Sequence, residues 1–166
     1  MLAHPRPRTS KCNTQKALLL ILFVEAAVKN IFELGRRFPW VKPDRCPRCG
    51  GRIWSHGFTT RYFDECAHPL FVRRYRCRDC RLLLTARPAG YLSRFQASIA
   101  DIRENLAHRF HHHRWKQSGA NSRRRHWLKG LLRKIHCHLG SNWTGNPMDA
   151  FGQLLAQGIC PVCRSI

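Results

Sequence analysis

The chain has 166 residues, room for one medium domain or two small ones. Thirty lysines and arginines face nine acids, a net charge of +21, so acidic partners come first: nucleic acid ahead of an anionic membrane surface. Nine cysteines, an odd number with six in C-x-x-C pairs, argue against a secreted disulfide framework and for a reducing, cytoplasmic setting.

In chain order, residues 1–15 are basic and aperiodic and read as a flexible tail. The apolar run 17–24 behind them loosely resembles a signal peptide. Glu25, Lys29 and Glu33 follow at once, so no stretch long enough to span a bilayer forms. We expect a packing helix over 16–40, stopped by Gly35 and Pro39.

The organising stretch is next. Cys46-Pro47-Arg48-Cys49-Gly50-Gly51 and Cys77-Arg78-Asp79-Cys80 are two C-x-x-C pairs with 27 residues between them. Each pair suits a tight turn that presents two thiolates, and together they offer Zn²⁺ its preferred closed tetrahedral set. The separation exceeds the usual ~15–20 residues, and a hairpin arm between the turns would absorb the excess. A redox pair or a disulfide does not explain the duplication. The predicted ligands are Cys46, Cys49, Cys77 and Cys80, with Zn²⁺ as the only cofactor. His56 and His68 lie inside the arm and are expected at the surface. Residues 52–57 read as a strand stopped by Gly57, and 70–76 as a second strand with Phe71, Arg73 and Tyr75 on one face and Val72 opposite. Residues 82–85 read as a further strand or as the exit from the ribbon, and Pro88 and Gly90 mark a boundary.

From Ser93 the pattern turns helical, with Phe95, Ile99, Ile102, Leu106 and Phe110 at helical spacing and Ser93 or Ser98 as cap. The run 111–114 ends that helix as a solvated edge. A break follows, then the strongest helical pattern, 123–139, capped by Asn121 or Ser122. Its apolar stripe is Trp127, Leu128, Leu131, Leu132, Ile135 and Leu139, with Arg124, Arg125, Lys129, Arg133 and Lys134 on the other sides. Helix, glycine-containing break and basic helix outline a helix-turn-helix. A loop over 140–147 and a short helix over 148–157 precede Cys160 and Cys163. These two, with Cys137 and His136 or His138, could complete a second zinc site or stay reduced. The expected organisation is a tail (1–15), an apolar helix (16–40), a zinc ribbon (41–90), a helical region (91–140) and a C-terminal tail (141–166). The fold class is α+β: a small zinc-ribbon hairpin module flanked by helices.

These motifs resemble a bacterial zinc-ribbon family associated with transposases and mobile elements. The resemblance rests on Cys46-Pro47-Arg48-Cys49-Gly50, His56-Gly57 before an Arg/Tyr strand, the 73–80 run, Thr85, Pro88 and Tyr91, and Ser122 through Leu128. It covers 46 to about 135 and implies a recognition helix beginning near Arg123, with a transposase as possible partner protein. The chain departs from the family in carrying Arg81 where glycine commonly follows the second pair, and in its last C-x-x-C.

The expected function is zinc-dependent DNA binding for a mobile element, with phosphate contacts from Arg48, Arg73, Arg74, Arg76 and Arg78. On the groove-facing helix the candidates are Asn121, Ser122, Arg123, Arg124, Arg125 and Lys129. The alternative is a protein-interaction adaptor. The acids, among them the Asp64–Glu65 and Asp101–Glu104 pairs, form no convincing three-carboxylate set for metal-assisted DNA cleavage, so no enzyme is expected unless another chain supplies acids.

Overall fold

The computed structural model describes residues 21–117 and 121–163. Among the described residues, four strands form one sheet in the order β1-β4-β3-β2, and four α-helices accompany it. The strands are β1 (Ile21–Val24), β2 (Ile53–Arg61), β3 (Leu70–Cys77) and β4 (Leu83–Pro88). The helices are α1 (Val28–Leu34), α2 (Ile99–His112), α3 (Asn121–His138) and α4 (Pro147–Ala156).

The N-terminal helix expected over 16–40 is corrected. Its first described residues, Ile21-Leu22-Phe23-Val24, are a strand parallel to β4, in register from Ile21 opposite Thr85 to Val24 opposite Pro88. Aromatic and branched side chains fit a pleated surface better than a helix, and the free edge of β4 offers them a ladder. Only residues 28–34 are α-helical, with Val28 and Ile31 buried. Gly35, at φ 54°, ends that helix and opens a 3₁₀ turn through Arg37. The basic tail of 1–15 lies outside the described residues.

Strand β2 also runs further than expected. It passes through Gly57, whose φ of +75° accompanies a register shift between Ser55 and Phe58, so the glycine makes a bulge and not a stop. In β3 the burial does not follow simple alternation. Leu70 and Val72 join Val28, Ile31, Phe63 and Tyr91 in one core, whereas Tyr75 and Cys77 join Cys46, Ile53, Leu84 and Ala86 in another. The Tyr75 hydroxyl donates to the Val41 carbonyl at 3.1 Å, tying the lead-in of the first cysteine turn to the sheet.

The helices build a third core around Trp127, Leu131, Phe151 and Leu154. Ser98 caps α2 by accepting from the Asp101 amide at 3.1 Å, and Asn146 caps α4, with Pro147 in its first turn. The α3 stripe is rotated from the predicted one. Arg124 and Lys134 are buried beside Trp127, Leu131 and Ile135, while Leu132 is 48% exposed. The cause is the C-terminal segment. A Cβ at Gly130 would collide with the Cys163 backbone nitrogen, so 160–163 lies against the Gly130 side of α3 and draws burial towards it. Asn121 and Ser122 belong to the first turn of α3, and residues 118–120 lie outside the described set. No helix among the described residues is long and apolar enough to cross a membrane.

Candidate metal centre and basic surface

The two cysteine turns are built alike. In the first, the Cys46 amide donates to the Gly51 carbonyl at 2.9 Å, and Gly50, four residues after Cys46, has φ +71°. In the second, the Cys77 amide donates to the Leu82 carbonyl at 2.9 Å, and Arg81, four residues after Cys77, has φ 59°. Strands β2 and β3, antiparallel from Ile53 opposite Cys77, bring the turns face to face. Cys46 Sγ then lies 3.6 Å from Cys80 Sγ, and Cys49 Sγ lies 3.5 Å from Cys77 Sγ. All four sulfurs fall within 4.8 Å of one another and could hold one metal ion. Four bonds of ~2.3 Å arranged tetrahedrally place sulfurs about 3.8 Å apart, which fits this cluster, while a disulfide needs about 2.05 Å.

The electrostatics of the cluster are compatible with a bound cation. Burial opposes the Cys46 thiolate, but the Arg48 and Cys49 amides and the neighbouring sulfurs outweigh it and bring the thiol down to about 7. The Arg48 amide approaches Cys46 Sγ at 3.4 Å. At Cys80 the Leu82 amide pulls downward, yet burial and the other three sulfurs push the thiol up to about 12. One thiolate forms readily and makes the next one costly, which a divalent ion reverses.

Arg81 is a conformational expense that the first turn avoids by using glycine. An L-residue in the left-handed region costs about 1–2 kcal/mol, partly offset by the extra freedom glycine has when unfolded. Arg81→Gly is therefore expected to stabilise the metal-loaded protein by about 1 kcal/mol in denaturant unfolding. An unchanged or lower midpoint would contradict that.

The structure sorts the predicted nucleic-acid-contact residues into three groups. Arg48 and Arg78 are exposed, one on each cysteine turn. Arg73, Arg74 and Arg76 are half-buried along β3: Arg73 stacks 4.6 Å over Phe58, Arg76 pairs across the ladder with Trp54, and the Arg74 Nε is buried without a hydrogen-bond partner. On α3, Asn121, Ser122, Arg125 and Lys129 are exposed. Arg123 instead grips Asp64 through two hydrogen bonds of 2.6 and 3.2 Å and lies 5.1 Å over Trp127. Arg124 is a correction. It is 7% exposed and donates to the Lys116 carbonyl at 2.7 Å, holding the chain before α3 and facing away from solvent.

The second cysteine grouping does not assemble. Cys137 is exposed, Cys163 Sγ accepts from Arg133 at 2.7 Å, and Cys160 donates to the Val162 carbonyl at 3.2 Å. Among the described residues no further set of three or more ligand side chains gathers. His56 and His68 stand outside the sulfur cluster, and both are exposed. Sequence reasoning missed the matched left-handed residues at 50 and 81. The glycine at 50 pointed to the first, and the family's usual glycine at the position of Arg81 pointed to the second. Compared with protein-family models, curated proteins and solved structures, the chain matches none.

Proposed function

We propose that the chain is a zinc-ribbon DNA-binding protein. The observation that carries this reading is the four-sulfur cluster on two turns that also bear exposed Arg48 and Arg78, in a chain of net charge +21. Four thiolates in a tetrahedral arrangement suit Zn²⁺, and a closed set leaves no position for a reacting water, so the ion is structural. The protein is then a binding module and not an enzyme. Backbone contacts come from the ribbon arginines. Helix α3 serves as the recognition helix of a helix-turn-helix formed with α2, presenting Asn121, Ser122, Arg125 and Lys129 to a groove. The motif resemblance supports a role for a mobile element, beside a separate transposase.

A salt titration tests this. Binding that neutralises six or more phosphates should weaken by about 10³-fold or more between about 50 and about 200 mM salt. A second reading, a protein-interaction adaptor, is favoured by the exposed Val41, Trp54 and Tyr62, at 73%, 56% and 61%. Absent or salt-insensitive DNA binding would select it.

A further inference from the structure

Arg87 is a buried charge with no acid paired to it among the described residues. It lies in β4 at 7% exposure, donates through Nη2 to the Phe95 carbonyl, and keeps a buried Nε with no hydrogen-bond partner. Its guanidinium lies 5.2 Å over the Phe63 ring. The ion pairs among the described residues engage Glu33, Glu104 and Asp64, and none includes Arg87. Residues 1–20, 118–120 and 164–166 contain no aspartate or glutamate, so they hold no side-chain carboxylate for it. A buried cation without a counter-charge is costly, and an anionic ligand is one way to offset that cost.

A groove of about 570 Å³ has Arg87 in its lining. Arg61 and Arg94 line it with Arg87, and no carboxylate does. Burial, followed by the repulsion of Arg61, draws Arg87 down to about 10, a conflict that an anion between them would relieve. Thr85 and Ser93 are among the lining residues, and Tyr62, which is exposed, supplies ring surface. Arg94 is held at φ 66°, a conformation unfavourable for arginine, at the groove wall. Three cations suit the dianion of a phosphomonoester better than the single charge of a diester. The deep position of Arg87 admits a terminus more readily than a strand continuing in both directions.

We propose that this groove binds a terminal nucleotide, with its phosphomonoester on Arg61, Arg87 and Arg94 and its base against the Tyr62 ring. Resting on the DNA-binding reading, that nucleotide is the phosphorylated end of a bound strand. The test measures fluorescence anisotropy of the zinc-loaded full chain with short duplexes, each carrying a single-stranded overhang whose strand ends in 5′-phosphate, 3′-phosphate or a hydroxyl. One phosphorylated end should bind about tenfold tighter or more than the hydroxyl-ended strand. Arg94→Gly removes one guanidinium while supplying the residue best suited to the left-handed backbone, and with Arg61→Ala it should erase that difference. Equal affinity for all three strands, with salt-sensitive binding intact, overturns the groove assignment and leaves the DNA reading standing. If no strand binds, yet adenosine monophosphate raises the melting temperature of the wild type and not of Arg94→Gly, the groove stands as a mononucleotide site and the DNA reading falls. Neither effect overturns both.

Discussion

Serine at position 49 is expected to abolish stoichiometric metal binding and to unfold the sheet around the two cysteine turns. Cys49 is one of four sulfurs gathered within 4.8 Å, and its Sγ lies 3.5 Å from that of Cys77. A structural zinc contributes about 10–16 kcal/mol to modules of this kind, as much as the whole stability of a typical domain. The loss should appear as a metal content well below one ion per chain and as rapid proteolysis between β2 and β3. Cys66→Ser is the control, because Cys66 lies outside the cluster and should leave metal content unchanged. Metal affinity should also fall with pH, since ions and protons compete for the same sulfurs. Above pH 7, binding must displace at least the proton of Cys80, whose thiol stands at about 12. Below about 7 the Cys46 proton adds to it, so the loss steepens. Equal metal content in wild type and Cys49→Ser would remove the centre from which the functional reading starts.

Truncating Trp127 is the second large effect, and it acts elsewhere. Trp127 is 2% exposed in the middle of the helical core, against which Leu131, Phe151 and Leu154 also pack. Trp127→Ala should cost about 3–5 kcal/mol, the range for removing a large aromatic from a packed interior. It also takes away the ring under the Arg123 guanidinium. The sheet has its own two cores, which share no residue with the helical one. Metal content should therefore stay at one ion per chain while helical circular dichroism melts early. Loss of the metal together with the helices would show that the two regions fold as a unit.

Much of the metal centre could be read without coordinates. Two C-x-x-C turns are local, and the chemistry of a thiolate pair does not depend on what lies across the molecule. The same holds for α2, where Ser98 marks the start and the spacing of Ile102 and Leu106 marks the buried face. The strand at 21–24 could not be read, because an apolar run without period is equally at home in a buried helix. Its ladder partner, β4, lies some sixty residues away. Arg124 shows the same limit from the other side. An arginine beside two others, Arg123 and Arg125, reads as surface charge until a carbonyl, that of Lys116, claims it.

Composition and spacing alone thus determined the ligand chemistry, the excess of positive charge and the α+β character, because these follow from residue types and short intervals along the chain. Tertiary structure alone decided which cations are free, which are spent on Asp64 and on the Lys116 carbonyl, and that Arg87 lies buried with no acid paired to it. Burial and pairing depend on segments far apart in sequence. No local pattern encodes what another strand or helix will cover.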